Sequence, residues 1–374
     1  MTSKFLLVAT LFIASCAIST GARALNTLKK KTVAGRHEQQ PALPGPAYAE
    51  REDVMLAAED IAARRNLDLA WVRQAIGQAR YSAQAVKFMQ PPRVGTVKNW
   101  RLYRSRFIDA VRINAGVKFW QENRATLARA ELESGVPAEI IVGVIGVETI
   151  YGQQMGSFRV LDALATLSLD FPAEHPRFEE RRKFFRSELA HFLKLKPHTG
   201  LDPTAWRGSY AGAMGIPQFM PSSWLRFAVD FDGDGKIDLF RSTADAIGSV
   251  AHYFKAFNWQ SGMPTHYAVA FDAAKLDKDA LLAPDILPTF DVASFTAKGA
   301  LLDEAGQAHK GRLALIELHN GTGEPQYVAG TDNFYAITRY NWSSYYAMAM
   351  IELGQAVAQA RRGAKASNGD QANR

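Results

Sequence analysis

The sequence predicts a mainly α protein of the α+β class: a helical body with a small β-unit set into it late in the chain. Three observations carry this. Residues 51–135 place apolar side chains at spacings of three and four, the period of an amphipathic helix. Residues 137–151 are almost uninterruptedly apolar, with Ile140, Ile141, Val142, Val144, Ile145 and Val147, and a helix apolar all round is buried on every side. Residues 266–335 change to short β-forming runs with the turn signal Asn320-Gly321. At 374 residues and 47% hydrophobic, the chain can build a substantial core in two or three units.

The elements follow in order. Lys4 precedes an apolar run over residues 5–18. At about 14 residues it is short of the roughly 20 that span a membrane, and it has the form of a secretory signal within residues 1–24. The single cysteine, Cys16, closes Ile13-Ala14-Ser15-Cys16, which resembles a bacterial lipoprotein box whose lipidated cysteine becomes the new N-terminus. The rival is cleavage after Ala22-Arg23-Ala24, which fits the A-x-A rule. Either exports the protein, and either leaves the mature domain without disulfides or cysteine metal sites. Residues 25–46 read as a tether, with Lys29, Lys30 and Lys31 and scattered prolines. Residues 47–135 form a helical domain, and Pro137 suits the first turn of the apolar helix that follows.

Residues 136–265 hold that helix, a helical insertion over 159–205 carrying Arg181-Arg182, a glycine-rich loop over 208–221, and an acidic segment from Asp230. Within the β-unit at 266–335, strands are expected at 267–271, 289–292 and 313–318. Residues 336–362 return to helix, and the polar tail 363–374 is expected to be disordered.

The formal net charge of +7 and pI of about 9.3 favour a polyanionic partner: nucleic acid, anionic lipid or cell wall. The basic residues are scattered and no nucleic-acid motif is present, so nucleic acid is set aside.

The chain has no G-x-S-x-G, no Walker loop, no G-x-G-x-x-G and no H-E-x-x-H, which leaves carboxylate chemistry. Glu148 lies near the end of the apolar helix. Burial raises the pKa of a carboxyl, and glycosidic cleavage needs an acid that keeps its proton near neutrality. The alternative is a buried glutamate paired with an arginine or a helix end. In the loop, Ser209 and Gln218 could hydrogen-bond sugar hydroxyls or acetamido groups, and the small residues around them would let a ligand approach the backbone. The alternative there is a tightly packed loop. Asp230, Asp232, Asp234 and Asp238, with Gly235 at the sixth position and the Lys236 carbonyl at the seventh, follow the start of a calcium loop. Position 12 is Arg241 rather than glutamate, and Asp245 could supply the missing carboxylate. A plain acidic turn is the alternative.

Four motifs now stand in order: Val147 to Gly152, Tyr210 to Ser223, Asp230 to Gly235, and Asn333 to Asn341. Together, over residues 51–353, they resemble the membrane-bound lytic murein transglycosylase B family. The resemblance implies a lysozyme-like core with added helical and small β-domains, and a bound Ca2+ in a structural role. It implies cleavage of the β-1,4 bond between N-acetylmuramic acid and N-acetylglucosamine in peptidoglycan, leaving 1,6-anhydromuramoyl ends, with Glu148 as the single acid/base. By motif position, Ser209, Met214, Gln218, Tyr253, Tyr340 and Asn341 should line the glycan groove. Arg181 and Arg182 should face the peptide stem, unless they are a solvated helix face. No second catalytic carboxylate stands out; Asp162 and Asp170 do not sit where one is expected. Two departures are Ile216-Pro217 before Gln218, which leaves that side chain's orientation open, and Trp342 after Asn341. A hydrolytic muramidase and a non-catalytic peptidoglycan-binding protein remain the alternatives. The implied location is the periplasm, with Cys16 anchoring the chain to the outer membrane.

Overall fold

A computed structural model describes residues 45–91, 95, 97–195 and 202–372. The signal segment, Cys16 and most of the tether lie outside these residues. Among the described residues, no helix is long and apolar enough to cross a membrane.

The chain enters at Tyr48, which is fully buried and donates a 2.6 Å hydrogen bond to Asp170. Six helices follow: α1 (Glu52–Arg65), α2 (Leu69–Gly77), α3 (Ala83–Phe88), α4 (Trp100–Arg104), α5 (Ala110–Glu122) and α6 (Arg124–Ser134). Several start on a side-chain cap; Asp68, Ser82, Asn99 and Asp109 each accept from a backbone N–H three residues on. Their buried residues join those of the following segments in one continuous core, so the boundary predicted at residue 135 is not a break between cores. Gly135, left-handed at φ 73°, closes α6, and Pro137 stands just outside α7 (Ala138–Thr149) rather than within its first turn.

Helix α7 is buried along almost its whole length, as its composition demands. Its partner is α16 (Ser344–Ala372), the last helix. The two backbones touch through glycine. A Cβ on Gly143 would lie 2.1 Å from the Met350 carbonyl oxygen, and one on Gly354 2.0 Å from that of Glu139. The helix-to-helix seam therefore has no room for any side chain at these positions. Helix α16 continues through residues 363–372, where a disordered tail was expected. A helix already nucleated by a buried stretch is extended at little cost through Ala364, Lys365, Ala366 and Gln371, which are good helix formers.

Between these partners run β1 (Phe158–Arg159), α8 (Val160–Leu169), α9 (Phe178–Lys194), β2 (Arg207–Gly208), α10 (Pro221–Phe227) and α11 (Thr243–Ala256). The β-unit contains β3 (His266–Phe271), α12 (Lys278–Leu282), α13 (Val292–Ala297), β4 (Ala300–Leu302), α14 (Glu304–Gln307), β5 (Ala314–Asn320) and β6 (Gly323–Gly330), with strand order β4-β3-β6-β5, all antiparallel. Alternation divides β5 between two cores: Ala314, Ile316 and Leu318 face the main one, and Leu315 joins a second cluster with Leu281, Phe295 and Leu302. The strand expected at 289–292 is only an isolated bridge, Phe290 with Leu313. Asp291 ends it by capping α13, accepting the Ser294 N–H at 2.7 Å. Helix α15 (Asp332–Thr338) leads back to α16.

Candidate active site

Glu148 stands one residue from the end of α7. The helix stops because Ile150 and Tyr151 both take left-handed backbone, at φ 50° and 57°. Two such residues in succession, neither of them glycine, are strained. Thr149 holds the turn: its hydroxyl donates to the Ile216 carbonyl at 2.8 Å and accepts from Gly152 N–H at 2.9 Å. The clamp ties the end of α7 to the glycine-rich loop across the site.

That loop is pinned by a tight antiparallel pair, Met214 with Phe219, each accepting the other's N–H at 2.9 and 3.0 Å. The pairing turns Met214 inward. It is fully buried and does not line the cavity, unlike its expected place in the groove. Gln218, at φ 50°, does line it. Its amide nitrogen donates to the Gly215 and Met155 carbonyls at 2.9 and 3.1 Å, which fixes the side chain and leaves its oxygen to accept. The orientation left open by Pro217 is thereby set. The Ser209 hydroxyl oxygen accepts from the Ala211 and Ala213 N–H groups, so its proton is available to a ligand.

The cavity between these walls encloses 250 Å³. Glu148 lines it with Ser209, Gln218, Tyr253, Tyr340 and Asn341, all singled out in the sequence. The hydroxyls of Tyr253 and Tyr340 are spent on the Arg339 and Pro217 carbonyls, so both residues offer the ligand mainly their rings. Phe88, Gln154, Tyr210, Phe219, Ser223 and Tyr346 also line the cavity and were missed. Tyr210, Phe219 and Ser223 lie within the Tyr210–Ser223 motif but were not singled out there; the tyrosine pair opening α16 was the one signal for Tyr346, and Phe88 and Gln154 come from segments with no motif of their own.

Glu148 is half-buried by surface, yet protein surrounds it closely, and burial pushes its carboxyl up to about 8. The Tyr346 hydroxyl hydrogen-bonds it and opposes that rise only in part. Burial raises the hydroxyls of Tyr103 and Tyr340, and the Glu148 charge adds to it. Among the described residues, Glu148 is the only carboxylate lining the cavity. Asp170 pairs with Arg51 at 2.8 Å, and Asp162 accepts the Arg80 N–H at 2.9 Å; neither reaches it.

Arg181 and Arg182, adjacent on α9, have different surroundings. Arg181 is buried and interacts electrostatically with Tyr210, a wall of the cavity, while Arg182 lies half-buried over the Phe178 ring. Neither lines the cavity itself.

The acidic segment packs against α11. Carboxylate oxygens of Asp230, Asp232 and Asp245 all lie within 4.8 Å of one another, a spread that one cation with oxygen distances near 2.4 Å could bridge. Asp230 accepts the Gly233 and Gly235 N–H groups at 2.7 and 2.8 Å, and Gly235 sits at φ 85°, where the loop needs its sharp turn. Asp245, fully buried, accepts the Phe231 and Asp238 N–H groups at 2.8 Å and closes the loop from the helix. Burial raises its carboxyl. Asp234 stands apart from the trio and accepts the Lys236 N–H at 2.8 Å.

Comparison with known proteins shows the family. The Transglycosylase SLT domain family matches residues 50–355. The membrane-bound lytic murein transglycosylase B of Escherichia coli K12 is 38% identical over 325 residues, covering 85% of this chain and 86% of that one. The solved structure of the Escherichia coli lytic transglycosylase Slt35 in complex with calcium has a TM-score of 0.73 at 38% identity, covering 85% and 96% of the two chains. Pseudomonas aeruginosa SltB3, solved in complex with NAG-anhNAM-pentapeptide, has a TM-score of 0.67 at 27% identity, covering 82% and 79%.

Proposed function

The chain belongs to the lytic murein transglycosylase B family, and on that premise we propose that Glu148 is the one acid/base with which this peptidoglycan lytic transglycosylase works. The observation that carries the reading is a lone carboxyl at the cavity wall, kept protonated near neutrality by burial. Protonated Glu148 gives its proton to the glycosidic oxygen between N-acetylmuramic acid and N-acetylglucosamine as the C1–O4 bond breaks. A protein nucleophile would need a second carboxyl about 5 Å away. With Glu148 alone at the wall, the substrate's own acetamido oxygen shields C1. The Glu148 carboxylate then takes the proton of the muramoyl C6 hydroxyl as O6 closes on C1. The 1,6-anhydro ring forms, the acid is regenerated and no water is consumed. The aromatic walls from Tyr253, Phe219 and Tyr340 support this by leaving water little room beside C1. Ser209, Gln218 and Asn341 would fix the sugars, and Arg181 the peptide stem.

The acidic trio fits calcium, with Asp245 standing in for the usual twelfth-position ligand and the Lys236 carbonyl adding an oxygen; Asp234 would join the shell only by swinging toward the trio. Calcium there would brace the loop before α11, the helix that carries Tyr253. The chain would act in the periplasm, anchored to the outer membrane through lipidated Cys16. Incorporation of labelled fatty acid into the wild type and not into Cys16→Ser tests the anchor.

Mass spectrometry of digested peptidoglycan tests the chemistry. Anhydro-muramoyl ends from the wild type, and none from Glu148→Gln despite retained glycan binding, are expected. Reducing ends would mean hydrolysis. Full activity in Glu148→Gln would remove that residue from the mechanism.

A further inference from the structure

A second cavity, of 530 Å³, opens behind the aromatic wall of the catalytic groove. Phe257, Asn258, Gln260, Asp332, Tyr335 and Arg339 line it. The two spaces share a partition. The Phe257 ring packs 4.6 Å from that of Tyr253, and the Tyr253 hydroxyl donates to the Arg339 carbonyl at 2.6 Å.

The Arg339 guanidinium is held by rings rather than by acids. It lies 5.3 Å from the Phe257 centroid, 5.4 Å from Trp342 and 5.8 Å from Tyr335. Its nearest polar contact is a long one, 3.4 Å to the Tyr335 hydroxyl. Among the described residues, no carboxylate forms an ion pair with it. A guanidinium stacked on aromatics is oriented but keeps its N–H edges for a planar anion. This also gives Trp342, a departure in the motif, a place in the site.

Asp332 adds the opposite sign. It opens α15, and Arg339 caps the other end seven residues on, about two turns, so both stand on one side of the helix axis; the arginine reaches back toward Tyr335. A plain anion would meet Arg339 and be opposed by Asp332. A group carrying both charges would satisfy both. The rim is braced: Gln260 N–H donates to the Asn333 side chain at 2.7 Å, and the Gln260 amide to the Asn258 carbonyl at 2.9 Å.

We propose that this cavity, set by Arg339 and Asp332, binds the zwitterionic end of a peptidoglycan stem peptide, an ammonium and a carboxylate on one carbon. The inference rests on peptidoglycan being the substrate. An un-crosslinked stem that ends its side chain in a diamino diacid carries such a group; a stem with lysine in that place carries the ammonium alone. The cavity would thus read whether a stem is free or cross-linked, in addition to any contact made by Arg181 on the far wall.

Calorimetry on the intact protein decides this, using two stem tripeptides that differ only in diaminopimelate or lysine at the third position. The diaminopimelate peptide is expected to bind at least about tenfold more tightly, one charge-assisted pair's worth. Arg339→Gln should erase that preference, and Asp332→Asn should weaken both peptides together. Equal affinities in the wild type, binding of neither peptide, or a preference that survives Arg339→Gln would overturn the proposal. If Arg339→Gln does not fold, the wild-type comparison still decides. Because binding needs no turnover, a failure here leaves the role of Glu148 untouched, and an active Glu148→Gln would leave this site untouched.

Discussion

Replacing Glu148 by glutamine should stabilise the protein, and by an amount that depends on pH. The ordinary glutamate value is 4.5, and burial lifts this carboxyl to about 8. Between those limits the unfolded chain has released the proton while the folded chain still holds it. The stabilisation that protonated Glu148 contributes is therefore fully present below pH 4.5 and is lost as pH rises to about 8, at about 1.4 kcal/mol per pH unit. At pH 7 the wild type has lost about 3 kcal/mol. With an unfolding entropy of roughly 2.1 cal/mol/K per residue over about 320 ordered residues, that is about 5 °C in the midpoint. Glutamine cannot ionise, fits the same space and can still accept from Tyr346. Thermal unfolding of wild type and Glu148→Gln from pH 4.5 to 9 reads the effect, because taking the difference cancels every other titrating group. The gap in midpoint should widen by about 5 °C between pH 4.5 and 7 in favour of Glu148→Gln and flatten above about 8. A gap constant across that range would mean that water reaches the carboxyl freely, and the argument for a protonated acid would collapse.

In the role proposed for Glu148, the same titration would set the rate. kcat/KM should fall about tenfold per pH unit above about 8, as the acid form is lost, which initial rates on purified glycan strands would show. Calcium at a hundredfold excess over its dissociation constant should stabilise by about 2.7 kcal/mol, or about 4 °C in the midpoint. Asp245→Asn should abolish that response, and a chelator-insensitive wild type would count against the site. Gly143→Ala drives a Cβ onto the Met350 carbonyl, so it should cost about 3 kcal/mol or prevent folding. Gly363→Ala, on the same long helix as Met350 but in open space, should be neutral or mildly stabilising; urea midpoints of the two variants compare them directly.

Much of the site was legible because it is local in sequence. Glu148, Ser209 and Gln218 sit in contiguous motifs, and an apolar helix ending in a carboxyl announces a buried acid. Phe88 and Tyr346 were not legible, because they reach the cavity only through packing: α3 by the edge-on contact of Phe88 with Tyr210, and α16 by its glycine seam with α7. Met214, expected in the groove, is buried beside it, because the loop there is strand-like. Pairing with Phe219 turns it to the core while Ala213 before it lines the groove. Strand β6 was missed for a related reason. Gly323 and Pro325 break its β signature, and the ladders with β5 and, over its last three residues, with β3 keep it extended.

The position of Glu148 reconciles two demands that pull against each other. To stay protonated, the acid must belong to a helix buried on all sides; to meet a polymer, it must stand at that helix's exposed end. Ending α7 immediately after Glu148 meets both, but the chain must then turn back through Ile150 and Tyr151 in a conformation costing on the order of 1 kcal/mol or more apiece. Thr149 offsets part of that cost, and it does so by bonding to Ile216, in the loop that carries Gln218. Glu148 and the loop that carries Gln218 are therefore fixed by one hydroxyl, so in the roles proposed for them the distance between proton donor and glycan would be set by the fold before any substrate arrives.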